Sequence, residues 1–392
     1  MKLTRDAQTA VEVITGLGGT ALLVGGFVRD QALGIESKDI DIEVHGFVAP
    51  EVLIRRLQSH GKVDTVGQSF GVIKFGQDVD ISFPRRDSKT GEGHTGFTIE
   101  FDNTMTVAEA LSRRDFTINS MAIDAVTGEL HDPFGGMEDL ILGVIRHTSD
   151  ESFADDPLRV LRAVQFASRF GFKIASRTSR LAMDMRDRFG ELSVERVWVE
   201  WEKILTKGQS MQAATEALIQ TGWISHFPEW GLRAGVTDRV LRTARPTGEL
   251  RSAMILGTQF SDMAPGSLEL FLGRIDAPGW LRRDARKLAA QPVVVTGRPD
   301  TDARLLARTL APLPLQAWID CHRAWQAPVA KFASEPVRAP LLTGDDLIAR
   351  GWKPGKKFGR VLQSALFTQD VEGWLTKGEA EFWLDQQEEE DE

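Results

Sequence analysis

A single cysteine, Cys321, in 392 residues excludes an internal disulfide framework and gives no reason to expect a disulfide-linked partner. That scarcity fits a reducing compartment, so a cytoplasmic location is expected. No stretch of eighteen apolar residues occurs, and no membrane span or membrane partner is expected. The first ten residues, MKLTRDAQTA, lack the apolar core of a secretory signal. Tyrosine is absent beside ten tryptophans, an imbalance for which we have no physical account. Cations are also in deficit: the net charge of −9 argues against a uniformly basic nucleic-acid-binding surface and leaves only local basic patches for that role. A hydrophobic content of 42% against 26% charged residues is that of a globular chain, and the length suggests roughly two to four structural units.

The first part of the chain reads as mixed α and β. ALLVGG (21–26), KDIDIEV (38–44), GVIKF (71–75) and VDISF (79–83) are short, β-branched and bounded by turn residues, as strands are. PEVLIRRLQSHG (50–61) reads as a helix stopped by glycine. Beyond about residue 150 the spacing turns helical. The segments 155–172, 193–208 and 211–222 repeat apolar residues at helical intervals, with Pro157 in a first turn and Ser193 as an N-cap. No strand ladder follows, joints are expected at 311–317 and 330–340, and the acidic end 386–392 reads as disordered.

The densest chemistry lies in LLVGGFVRDQALGIESKDIDIEV (22–44). On a strand, Asp39 and Asp41 leave the same face because side chains alternate. Two carboxylates so close repel unless a cation lies between them, and Mg²⁺ prefers such oxygen ligands together with substrate phosphates. Two ions of this kind can activate a hydroxyl and stabilise departing pyrophosphate. Gly25 and Gly26 form a turn before a helix, where backbone N–H groups and the helix start favour phosphate. Arg29 lies one turn further on and could hold a triphosphate, and Asp80 offers a third carboxylate. A lone D-x-D or a lone GG is ordinarily a solvated pair or a plain turn; their ordered combination is far rarer by accident.

Gly25, Gly26, Arg29, Asp30, Asp39 and Asp41 together resemble the first motif of the nucleotidyltransferase superfamily that includes DNA polymerase β. The resemblance is nearer to the class II tRNA nucleotidyltransferases, the CCA-adding enzymes, and their bacterial poly(A) polymerase relatives. It implies an α+β fold: a head with a small mixed sheet, then an all-helical neck, body and tail, with bounds expected at 1–143, 144–208, 209–335 and 336–392. It also implies that Asp39 and Asp41 hold the metals, with Asp80 at the third carboxylate position. Mg²⁺ is the implied cofactor, and CTP, ATP and tRNA the implied partners.

SRRDFTINSMAIDAVTGELHDPFGGMEDL (112–140) follows. Arg113 and Arg114 could grip phosphates, and Asp115 or Asn119 could bond a ribose hydroxyl; read alone, the segment is as well explained by a capped helix beside a solvated arginine pair. RRDFTIN is similar to the family's sugar-recognition motif, and DPFGGMEDL to the hinge between head and neck, so His131 and Asp132 are taken as structural.

Asp156, Arg159 and Arg162 are spaced three apart on an expected helix beginning at Asp155. An aspartate beside an arginine sets an acceptor beside a donor, which complements the edges of cytosine and adenine and leaves guanine and uracil with unpaired polar groups. The ordinary alternative is an intrahelical Asp156–Arg159 salt bridge. The segment resembles the family's Glu-Asp-x-x-Arg base-recognition motif, with Asp155 shortened from glutamate. SVERVWVEWEKIL (193–205) is similar to the last neck motif, where Glu195 and Arg196 would brace helices.

Basic surface for RNA is available at LRRDARKLAA (281–290) and GWKPGKKFGR (351–360); the second lies in a stretch, 341–366, that resembles a C-terminal segment of bacterial members. His226 and His322 are the only histidines after residue 147, too few for the His-Asp phosphohydrolase site of some relatives. The resemblance implies addition of C and A to the tRNA 3′ end. A poly(A) polymerase, or an enzyme adding only CC or only A, would share the same head; the glycine-bearing segment 82–97, expected to be flexible, lies where such activities diverge. A catalytically silent RNA-binding protein fits poorly with intact Asp39, Asp41, Arg113 and Arg159.

Overall fold

The computed structural model describes residues 3–37, 39–64, 72–89, 97–102, 104–231, 233–264, 266–291, 296–322 and 329–389. It divides into two compact units, one reaching from the N-terminus to Ile204 and resuming over Gly208–His226, the other holding Leu205–Lys207 and Phe227–Glu392.

The first unit is built on a mixed sheet. In chain order it contains α1 (Arg5–Gly16), β1 (Thr20–Val24), α2 (Gly26–Ala32), β2 (Ile40–His45), α3 (Pro50–Gln58), β3 (Val63–Asp64), β4 (Val72–Phe75) and β5 (Val79–Ser82). A hairpin of β6 (Arg85–Lys89) and β7 (Phe97–Phe101) follows, then α4 (Val107–Ser112), β8 (Ala122–Asp124), β9 (Leu130–His131) and α5 (Gly136–Leu142). The seven-stranded order is β3-β4-β5-β2-β1-β8-β9, with β2 and β5 parallel and the remaining pairs antiparallel. The strands expected at 21–26, 38–44, 71–75 and 79–83 are β1, β2, β4 and β5. Strands on both sides of β2 place its residues in the middle of the sheet, where a side chain is held by neighbours on each flank.

The segment 82–97 was expected to be flexible. Within it Arg85–Lys89 form β6 and Phe97 opens its partner β7, while residues 90–96 lie outside the described residues.

Helices take over after α5. A short parallel pair, β10 (Val144–Ile145) and β11 (Lys173–Ile174), brackets α6 (Asp150–Asp155) and α7 (Leu158–Phe170); α8 (Ser176–Asp184), α9 (Val194–Lys207) and α10 (Met211–Gln220) follow. The expected single helix over 155–172 is therefore broken. A residue before proline is pushed out of the helical region, and Asp156, before Pro157, is extended at φ −131° and ψ 103°. α6 ends at Asp155 and α7 starts afresh at Leu158, closing at Gly171 in the left-handed conformation.

Among the described residues the second unit contains helices and no strand. The acidic end was expected to be disordered, yet Lys377–Glu389 is a helix, and only 390–392 lie outside the described residues. Glu379 accepts bonds from the Thr376 N–H and hydroxyl at its start, and Ala380 and Leu384 are buried with Leu347, Ala365 and Trp374. Capping and an apolar face outweigh the repulsion of the last carboxylates. No described helix is long and apolar enough to cross a membrane.

Candidate active site

β2 sorts its residues by alternation. Ile40, Ile42 and Val44 are buried hydrophobics, while Asp41, Glu43 and His45 share the other face. Asp41 stands in register with Asp80 on β5 and with Val24 on β1. Asp39 is exposed one residue before the strand begins. Burial first, then the charges of Asp80 and Asp39, hold the Asp41 carboxyl above the usual carboxylate range, against the pull of Arg114. Across β4, the Lys74 ammonium donates to both oxygens of Asp80, at 3.0 and 3.2 Å.

The glycine turn lies directly over this face. Gly25 has φ +70°, which only glycine adopts without strain. A Cβ there would also stand 2.7 Å from Arg114 Nη1 and 3.3 Å from Asp41 Oδ2. The missing side chain thus lets both the Arg114 guanidinium and the Asp41 carboxylate lie against the turn. The first amides of α2 point outward from this turn, as at any helix start.

Arg29 takes a different place from the one its spacing suggests. It is 4% exposed and turned inward: Nε donates to Asp30 Oδ1 at 2.8 Å, and Nη1 to Asn119 Oδ1 at 2.6 Å. Its guanidinium lies 5.1 Å from the ring centroids of Phe166 and Phe170. Burial pulls its pKa below the usual value, with Asp30 opposing. Asn119 in turn donates to Asp115 Oδ1 at 2.9 Å, and Asp115 Oδ2 accepts from Arg162 Nε at 2.7 Å. Arg169 closes the far end on Asp30 at 3.2 Å. A buried polar chain therefore runs Arg162–Asp115–Asn119–Arg29–Asp30–Arg169. Burial would raise the Asp115 carboxyl, but Arg162 and the Asn119 bond outweigh it and leave its pKa lowered. Such a fully satisfied network rigidifies what it holds.

The hinge-like segment is built by capping. Asp132 accepts from the Gly136 and Met137 amides at 2.6 and 2.9 Å. A Cβ on Gly136 would fall 2.3 Å from the Thr117 carbonyl oxygen, so α5 sits against the backbone of the RRDFTIN turn.

Asp156 and Arg159 are not on one helical face, because Asp156 precedes the break. Asp156 Oδ1 accepts from the Leu158 amide at 3.0 Å and Oδ2 from Arg196 Nη2 at 2.7 Å. Arg159 donates to Ser152 Oγ at 2.6 Å and to the carbonyls of Arg113 and Arg114 at 2.7 and 3.2 Å. It keeps its Nε proton and one Nη2 proton without a partner among the described residues. Arg196 braces the neck helices through Asp156, whereas the bonds described for Glu195 lie at its own helix start, with Ser193.

Sequence reasoning missed Glu43. It is 3% exposed, accepts from His45 Nε2 at 2.9 Å and lies 4.0 Å from Arg114 Nη2. Burial would raise its pKa, but the His45 bond and the Arg114 charge outweigh it and leave it lowered. The signal was present: Asp39, Asp41 and Glu43 continue one period-two series.

Among the described residues no group of three or more histidine, cysteine, aspartate or glutamate side chains is arranged to hold a metal ion. Mg²⁺ seldom needs one, since one or two carboxylates and the substrate's phosphates complete its shell. The donor chemistry fits: oxygen ligands only, with mutual repulsion at Asp41 that a divalent cation would relieve.

In the second unit the two basic segments differ. In 281–290, Arg282 donates to the carbonyls of Ala277 and Leu272, Arg283 pairs with Asp284, Arg286 with Glu269, and Lys287 caps the carbonyls of Leu310 and Ala311. In 351–360, Lys353, Lys356, Lys357 and Arg360 are exposed, and the Lys357 ammonium lies 5.3 Å from the Trp352 ring centroid. His226 stacks on Phe189 and His322 on Trp318, as packing residues do.

Residues 21–146 match the model of the poly A polymerase head domain, and residues 171–231 that described as "Probable RNA and SrmB-binding site of polymerase A". The chain is 43% identical over 191 residues to the Multifunctional CCA protein of Vibrio parahaemolyticus, covering 47% of this chain and 45% of that protein. It is 43% identical over 222 residues to the protein of the same name from Neisseria gonorrhoeae, covering 55% and 52%. The aligned region thus spans about half the length of the curated relatives it matches. Its fold is that of the Thermotoga maritima CCA-adding enzyme solved with tRNA, at TM-score 0.67 and 23% identity, covering 98% of this chain and 100% of that one. The Bacillus stearothermophilus CCA-adding enzyme solved with CTP is similar at TM-score 0.65 and 25% identity, covering 95% and 94%.

Proposed function

We propose that this chain, with its polymerase-β-like head, is a class II tRNA nucleotidyltransferase that adds C and A to the tRNA 3′ end from CTP and ATP, releasing pyrophosphate. The observation that carries the reading is that Asp41, in register with Asp80 on the neighbouring strand, lies against the Gly25 turn with Arg114 alongside. The similarity to CCA proteins over about half of the chain supports the substrate assignment.

Asp39 and Asp41 would hold the cations, Mg²⁺ by its preference for oxygen; when bound, these supply charge neutralisation between the tRNA 3′-hydroxyl and the α-phosphate and stabilise pyrophosphate. Gly25 and Gly26 expose the first amides of α2 to the triphosphate. Arg114 and Arg113 present guanidinium groups to phosphate and sugar. Arg29 acts through Asn119 and Asp115, setting the turn that carries those arginines, and Arg162 anchors the same chain from α7. Asp156 and Arg159 select the base: a carboxylate can accept up to about four hydrogen bonds, and Arg159 retains two donors. The exposed lysines beside Trp352 offer RNA a charged, stackable face. A cytoplasmic location suits the single buried thiol.

Poly(A) addition is the second reading, favoured by the description of the head-domain model. Asp41→Ala tests the shared chemistry. It should abolish nucleotide incorporation while thermal melting stays cooperative; normal incorporation by the folded variant would refute the assignment.

A further inference from the structure

Arg114 poses a problem that its neighbours solve. Its guanidinium occupies the gap left by Gly25, with Nη1 2.7 Å and Asp41 Oδ2 3.3 Å from the same vacant Cβ position. A cation so close to Asp41 would pair with that carboxylate directly and compete with any metal ion for its oxygens. It does not pair there. Among the described residues, the only carboxylate within 4.0 Å of Arg114 is that of Glu43. Glu43 lies two residues along the same face of β2, 3% exposed, with one oxygen fixed by His45 Nε2 at 2.9 Å and the other turned to Arg114. The carbonyls of Arg113 and Arg114 both accept from the Arg159 guanidinium. Arg114 is therefore held at its base by Arg159 and drawn at its tip toward Glu43.

We propose that Glu43 is a positioning residue that draws Arg114 off Asp41 and so keeps the Asp41 oxygens available to a divalent cation. The proposal rests on the metal role of Asp41 given above. A carboxylate is needed for it: glutamine fills the same volume and can still meet His45, but it offers Arg114 no charge. Groups that orient metal ligands from one step away commonly change metal affinity by about 10- to 100-fold when removed.

Calorimetric titration of Mn²⁺ into the full chain, without nucleotide, reads this directly and needs no turnover. Wild type should bind Mn²⁺, and Glu43→Gln should bind it about tenfold more weakly. The double variant Glu43→Gln/Arg114→Gln should recover most of the wild-type affinity, because the competing cation has gone. A structural role for Glu43 alone would not produce that recovery. Unchanged affinity in Glu43→Gln, or no recovery in the double variant, overturns the proposal while leaving Asp41 as a ligand. Wild type that binds no Mn²⁺ overturns the metal role of Asp41, and the proposal with it.

Discussion

Asp115 shows what one residue carries. Its spacing suggested a ribose contact, yet both oxygens serve the buried chain, one accepting from Asn119 and the Phe116 amide and the other from Arg162. Direction of approach cannot be read from a one-dimensional pattern, and Arg29 was unreadable for the same reason: a helix face names a side chain's sector, not whether the core or the cleft claims its end. Because the Asp115 pKa is lowered on folding, the unfolded chain binds this proton more readily. Its ionised form thus adds stability above the ordinary carboxylate range, and the contribution disappears as pH falls through the depressed folded value. Asp115→Asn should cost about 2 kcal/mol at neutral pH, the loss of a charged hydrogen bond to a partly buried guanidinium. Thermal melts of variant and wild type should converge on acidification; a constant gap, or none at neutral pH, contradicts the assignment.

At the scale of elements, the strands were legible because period two with β-branched residues has few other readings. β2 and the residue just before it carried the acidic series Asp39, Asp41 and Glu43 in plain sight, and the Asp39–Asp41 pair masked the third. The break between α6 and α7 was legible as well, through the restriction that Pro157 places on Asp156; the helical spacing on either side masked it. The packing of α5 was not legible, since nothing in DPFGG says which backbone Gly136 meets. A Cβ there would overlap the Thr117 carbonyl, whereas one on Gly190 meets nothing within 4 Å. Gly136→Ala should therefore cost about 1–3 kcal/mol, while Gly190→Ala should change stability by no more than about 1 kcal/mol. Denaturant titration distinguishes them, and equal midpoints would contradict the packing described.

At the scale of the molecule, a net charge of −9 coexists with a concentrated positive face at 351–360. The equally basic 281–290 spends its cations on carbonyls and carboxylates nearby. Counting lysines and arginines could not separate the two; only their partners do. The head and the start of the neck were readable because their motifs are chemical and their order is constrained. The helical second unit has no such motif before residue 341, and apolar spacing there specifies helices without a purpose. The central claim is that this chain builds a defined tRNA terminus. Its most direct test supplies the full chain with Mg²⁺, CTP, ATP and tRNA lacking its last three nucleotides, and resolves the products at single-nucleotide length. The account predicts two C additions, one A addition and a stop; long A tails, or no extension at all, would contradict it.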